Sequence, residues 1–169
     1  MLASLGMEYV IVGHSERRRY QGEGDALIAA KAKAALMAGL TVVWCVGETR
    51  EERAAGRTIE VLQEQLQWVT EAGVSDGTKL CIAYEPCWAI GTDHVPTTEE
   101  IREAVEAIRL CVAVHLPVSA EAVRVLYGGS VKESNVESVS VVAGADGVLA
   151  GRESLVPETL MVLYRKLSV

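Results

Sequence analysis

The sequence predicts an α/β fold built on a single parallel sheet, on three observations. Short β-branched runs alternate with longer helical patterns along the whole chain. The strand runs are continuously apolar rather than alternating, which predicts cover on both faces. Strand starts near residues 9, 40, 79, 123 and 146 lie about 34 residues apart on average, close to the repeat of about 31 in a (β/α)8 barrel of about 250 residues. Strands of this kind joined through helices imply parallel pairing with right-handed crossovers.

The first strand is Tyr9 to Gly13, and after a polar turn a helix covers Asp25 to Met37. Leu40 to Gly47 is the second strand, followed by a polar connection, a turn at Gly56 and a helix around Thr58 to Thr70. Lys79 to Tyr84 is the third strand, with a long Gly- and Pro-containing loop after it. Thr97 with Glu100 three residues on has capping-box spacing and opens a helix to about His115. Val123 to Tyr127 is the fourth strand, Glu133 to Val142 a helix, Asp146 to Ala150 the fifth strand and Pro157 to Leu167 the last helix. Met1 to Leu5 before Gly6 looks like the final turn and C′ glycine of a helix. The chain is therefore expected to be the later part of something longer, a single partial domain over residues 1–169.

Composition excludes several function classes. The chain is 50% hydrophobic and carries 16 basic against 23 acidic residues, a net charge of −7. That balance argues against nucleic-acid binding, which needs a basic field to displace counterions, and against docking on an anionic membrane. No apolar run approaches the roughly 18 residues of a membrane-spanning helix, and the N-terminus has no basic, long-apolar leader pattern. A cytoplasmic chain is expected. Cys45, Cys81, Cys87 and Cys111 lie in apolar runs and are expected to be reduced, with spacing that suits zinc poorly.

In parallel α/β folds, function collects at the carboxyl ends of strands. The first strand ends in Gly13-His14-Ser15-Glu16 and the third in Tyr84-Glu85-Pro86, so an imidazole and a carboxylate emerge on one rim. The fourth and fifth strands end in Gly128-Gly129-Ser130 and Gly151-Arg152, glycine-rich turns that can offer backbone N–H groups to an anion. A base, a polariser and a phosphate cradle together suggest proton chemistry on a small phosphorylated carbonyl compound. Arg17 to Arg19 reads as a solvated or inter-subunit basic cluster.

GHSERR (Gly13 to Arg18), CVGE (Cys45 to Glu48), AYEPCWAIGT (Ala83 to Thr92) and LYGGSV (Leu126 to Val131), in this order and spacing, resemble the triosephosphate isomerase family from Gly6 to the C-terminus. The resemblance implies an incomplete (β/α)8 TIM barrel, strands four to eight, lacking the first three βα units. It implies His14 as electrophile, Glu85 as catalytic base and Glu16 as a supporting carboxylate. Pro86, Cys87, Trp88, Ala89, Ile90 and Gly91 would form a closing lid, and Gly91, Ser130, Gly151 and Arg152 would contact substrate phosphate. The implied reaction interconverts dihydroxyacetone phosphate and glyceraldehyde 3-phosphate in glycolysis and gluconeogenesis, with no metal or organic cofactor. The family is the standard illustration of a neutral imidazole whose pKa a helix N-terminus lowers, and Ser15 and Glu16 after His14 fit such a helix. The expected partners are a small phosphorylated sugar, no nucleic acid and no membrane, with a homodimer as the family form.

Three departures bear on this. The family's first strand supplies an Asn and a Lys to the substrate, and that region has no counterpart here, so the chain alone is expected to be nearly inactive. Arg152 stands where a second glycine is common, which either strains the backbone or adds a guanidinium to the phosphate site. Asp93 and His94 replace the Gly and Lys often found at the far hinge of the lid. An isomerase of a tetrose phosphate and a non-catalytic truncated product are the alternatives.

Overall fold

A computed structural model of the chain describes residues 1–90, 92 and 95–168. Five parallel strands form one sheet in the order β1-β2-β3-β4-β5: β1 Tyr9–Val12, β2 Thr41–Val46, β3 Leu80–Tyr84, β4 Arg124–Tyr127 and β5 Gly147–Val148. Strand order follows chain order, as a barrel wall requires, and β1 and β5 do not meet. This is an open part of a (β/α)8 barrel. Its helices are α1 Ser15–Gln21, α2 Asp25–Met37, α3 Arg50–Ala54, α4 Thr58–Leu66, α5 Thr98–His115, α6 Val136–Val139 and α7 Pro157–Leu167.

Pleating sorts the strand residues into two faces. Val42, Trp44, Val46, Leu80, Ile82, Tyr84, Val125 and Tyr127 pack with the helices in the main core. Val43, Cys45, Cys81 and Ala83 form a second, smaller cluster that Leu126 and Leu149 border. The small side chains on this second face fit a narrow barrel interior. With Phe absent, the large core pieces are Trp44, Tyr84 and Tyr127, all fully buried.

Local chemistry sets the helices. Thr97 Oγ1 accepts the N–H of Glu100 at 3.2 Å while Glu100 Oε2 accepts that of Thr97 at 2.7 Å, the expected capping box on α5. The same device, Thr49 with Glu52, starts α3, an element not anticipated in the connection after β2. Pro157 at the first turn of α7 supplies a preset φ where no N–H is needed. The first residues make a 3₁₀ turn, Ala3–Leu5, closed by Gly6 at φ 78°.

Three expectations are corrected. Cover on both faces holds for β2 and β3 but not for β1, where Tyr9 and Ile11 are 53% and 48% exposed because no strand among the described residues pairs with that edge. The helix read over Glu133 to Val142 shrinks to Val136–Val139. Its β-branched residues propagate a helix poorly, and Asn135 Oδ1 caps a turn by accepting the Lys132 N–H. The fifth strand pairs only through Gly147 and Val148, although the N–H groups of Asp146 and Leu149 still reach β4 carbonyls at 2.7 and 2.8 Å. All four cysteines are free; Cys45, Cys81 and Cys111 are buried and Cys87 half-buried.

Candidate active site

Parallel strands send every carboxyl end to one rim, and there the predicted residues meet. His14 leaves β1 through Gly13, whose φ of +70° a side chain would oppose; a Cβ there would also crowd Ile28 and the Cys45 carbonyl at 3.1 and 3.2 Å. His14 then caps α1, with Nδ1 accepting the Glu16 N–H at 3.3 Å. Arg18 fixes this turn from beneath, Nε donating to the Gly13 carbonyl at 2.9 Å and Nη1 pairing with Asp25 at 2.6 Å. Arg17 pairs with Glu23 through Nη2 at 2.5 Å. Arg18, with its side chain 19% exposed, is thus an internal brace of the α1 turn, while Arg17 and Arg19 stay exposed, as the solvated reading has it.

Glu85 follows β3 directly and is 2% exposed. Its N–H continues the ladder to the Val46 carbonyl at 2.7 Å, and the absent side chain of Gly47 makes room, since a Cβ there would sit 1.8 Å from the Glu85 carbonyl oxygen. Gly128 closes the other side, where a Cβ would lie 2.9 Å from Glu85 Cγ. Between these two glycines the carboxylate points to the rim. Its Oε2 accepts the Ser15 N–H at 2.9 Å, and its Oε1 lies 2.9 Å from His14 Nε2. The second contact is an ion-pair approach rather than an aligned hydrogen bond, because Oε1 has no partner of hydrogen-bond geometry among the described residues.

The Glu85 carboxylate raises the pKa of His14 above the ordinary imidazole value, against the opposing pull of burial; Glu16 adds a smaller upward push. This is the reverse of the lowering that the resemblance implied, and the cause is the direct approach of Glu85. Stabilisation from this contact is full below the unfolded value of about 6.5 and fades as pH rises through the raised folded value. The imidazole resonances of His14, assigned by its substitution, are therefore expected to titrate with a midpoint above 6.5, and Glu85→Gln is expected to lower that midpoint. An unmoved midpoint would contradict the pairing.

A cleft of about 570 Å³ opens over this pair, with Ile11, Ile90 and Leu149 as apolar wall, and Gly128 to Lys132 and Ala150 to Glu153 completing its lining. The Gly128 N–H is occupied by the Tyr84 carbonyl at 2.7 Å. Those of Gly129, Ser130 and Gly151 meet no acceptor among the described residues, so the lining presents open donors to an anion. No described non-glycine residue has a positive φ, so Arg152 carries no strain of that kind, and it is among the residues lining the cleft. Glu16 also lines the cleft. Among the described residues no group of three or more His, Cys, Asp or Glu side chains is arranged to hold a metal.

The predicted lid leaves Glu85 through Pro86. Trp88 Nε1 donates to Glu48 Oε1 at 2.8 Å, and the Arg53 guanidinium stacks over the Trp88 ring at 5.2 Å. Glu48 is fully buried; its Oε1 also accepts from Tyr84 OH at 3.2 Å and from Arg53 at 3.4 Å, while Arg53 Nη2 reaches Glu100 at 2.6 Å. This network joins the lid to the caps of α3 and α5, and Arg53 escaped the sequence reading because nothing local links it to residues 48, 88 and 100. Cys87 is no nucleophile: burial pushes its thiol up to about 12. Gly91, Asp93 and His94, read as lid, phosphate contact and hinge, lie outside the described residues.

The chain is similar to known proteins. A family model described as triosephosphate isomerase matches residues 1–167. The triosephosphate isomerase of Afipia carboxidovorans is 48% identical over 158 residues, covering 92% of this chain and 61% of that protein. That of Ruegeria pomeroyi is 47% identical over 156 residues (92% and 62%), and that of Rhizobium meliloti 45% over 166 residues (98% and 64%). The chain spans a little over three fifths of the length of these relatives.

Proposed function

The chain belongs to the triosephosphate isomerase family, and from that premise we propose that its rim carries the isomerisation of dihydroxyacetone phosphate and glyceraldehyde 3-phosphate. Glu85 removes a proton from the carbon beside the carbonyl. His14, with Nδ1 engaged by the Glu16 N–H, presents Nε2–H to the substrate oxygens and exchanges a proton between them as the enediol(ate) forms. Glu85 returns the proton to the neighbouring carbon. Ser130, Gly151 and Arg152, with Gly91 of the lid, hold the phosphate, and Glu16 supports the charge at His14. Pro86 to Gly91 close over the intermediate and exclude water.

One observation carries the reading: His14 Nε2 and Glu85 Oε1 come within 2.9 Å in a cleft whose lining also offers unoccupied N–H donors. The five strands then correspond to strands four to eight of the family barrel, a single domain. The same reading makes the whole protein a cytoplasmic homodimer of glycolysis and gluconeogenesis; among the described residues no helix is long and apolar enough to cross a membrane.

We also infer that the 169-residue chain alone turns over slowly, since Ile11 on the cleft wall is half-exposed beside an unpaired edge. Losing one preorganised charge-stabilising donor costs about 2.7–4 kcal/mol of barrier. Isomerase assays of the chain alone, and of the chain fused behind the N-terminal units of a relative, test both points. The fusion is expected to be active and the chain near background. A folded but inactive fusion would overturn the function, and a fully active chain the incompleteness.

A further inference from the structure

Gly47 is buried and lies one residue past the last pairing of β2 with β3, that of Val46 with Tyr84. Its N–H and carbonyl therefore need partners that the register does not supply. One side chain supplies both. Gln65, near the end of α4, accepts the Gly47 N–H on Oε1 at 2.8 Å and donates from Nε2 to the Gly47 carbonyl at 3.1 Å. The amide thus pairs with Gly47 as a residue on a neighbouring antiparallel strand would, donor to acceptor and acceptor to donor. Its stem is anchored because Leu62 and Leu66 of the same helix are buried in the main core with Trp44 and Val46. Held in this way, Gly47 is the surface on which Glu85 rests. A Cβ on Gly47 would lie 1.8 Å from the Glu85 carbonyl oxygen and 2.5 Å from its carbonyl carbon, the tightest approach among the described glycines. One residue on, the Glu48 carbonyl accepts the Cys87 N–H at 3.1 Å, so the segment that Gln65 fixes runs against the chain from Glu85 to Cys87.

We propose that Gln65 is a positioning residue for Glu85: by fixing both backbone groups of Gly47 it sets the surface against which the Glu85 main chain rests, and so keeps the carboxylate at its approach to His14. Gln65 does not line the cleft, so its effect passes through the backbone of Gly47. A glycine has no side chain to hold it in place and has the widest conformational freedom of any residue. With the clamp gone, Gly47 moves more freely, and the Glu85 carboxylate leaves its 2.9 Å approach to His14 Nε2. A misplacement of about 1 Å at a reacting group can cost about a hundredfold in rate. The consequence for rate rests on the reading of Glu85 as the base; the placement of its carboxylate beside the imidazole does not.

Two readouts test this. In the full chain, the titration midpoint of the His14 imidazole, which Glu85 raises with a smaller push from Glu16, is expected to fall in Gln65→Met toward its value in Glu85→Gln, although neither partner of the contact has been altered. Gln65→Asn carries the same amide on a stem one methylene shorter; it is expected to do the same, and it serves if the Met variant does not fold. Leu62→Val loosens the same helix without touching the clamp and is expected to leave the midpoint where it is. In the fused, completed enzyme, Gln65→Met is expected to lower kcat about ten- to a hundredfold with KM nearly unchanged. A midpoint that stays put in the Gln65 variants, a fall of equal size in Leu62→Val, or an unchanged kcat in an active fusion would each overturn the proposal. An inactive fusion beside a lowered midpoint in Gln65→Met would instead remove the base role of Glu85 and leave its placement by Gln65 standing.

Discussion

Glu85→Gln is expected to lower kcat of the completed enzyme by about 10²–10⁴-fold, the usual contribution of a positioned general base. The amide has the same shape, and its oxygen can still accept the Ser15 N–H that Glu85 Oε2 takes at 2.9 Å, so the rim keeps its geometry. Only the ability to take a proton is lost. With phosphate proposed to bind through other residues of the cleft, KM is expected to change far less than kcat, the pattern of a group acting in the transition state. A steady-state assay in both directions checks this. A loss below tenfold in kcat, or a loss confined to KM, would mean that another group is the base.

Arg53→Met is expected to destabilise the chain by about 3–5 kcal/mol, the range found when one partner of a buried ion pair is removed. Glu48 is fully buried, and Arg53 is the cation paired with it among the described residues. Without the guanidinium, the Tyr84 hydroxyl and the Trp88 indole N–H remain on Oε1, while Oε2 has no partner among the described residues even in the intact protein. The stacking over Trp88 and the tie to Glu100 at the start of α5 go as well. The loss is a large share of the roughly 5–15 kcal/mol that folded domains possess. Urea unfolding measures it, with Glu48→Gln in the Arg53→Met background expected to recover part by removing the stranded charge. A loss under about 1 kcal/mol would place the pair among surface ion pairs of little weight.

The parallel architecture was legible because apolar runs and helical periods differ in length and spacing, and because Thr97 with Glu100 marks a helix start through its own atoms. Thr49 with Glu52 carries the same signal; its helix was missed because five residues leave no period to read. The exposure of Tyr9 and Ile11 was not legible, since an apolar run records what a strand can bury and not whether a neighbour covers it. His14 and Glu85 could be named from strand ends, but the 2.9 Å approach that raises the His14 pKa depends on the glycines at 47 and 128. Arg18 alone departs from the solvated reading, because Asp25 folds back on it only once α1 has turned.

The central claim is that the imidazole of His14 and the carboxylate of Glu85 act on one bound triose. Dihydroxyacetone phosphate incubated in D2O with the completed enzyme, followed by proton NMR, reads that chemistry at the reacting carbon. Deuterium is predicted to enter the carbon beside the carbonyl with the unsubstituted enzyme, and to fall to the uncatalysed rate with Glu85→Gln. Exchange that continues undiminished in Glu85→Gln would contradict the account.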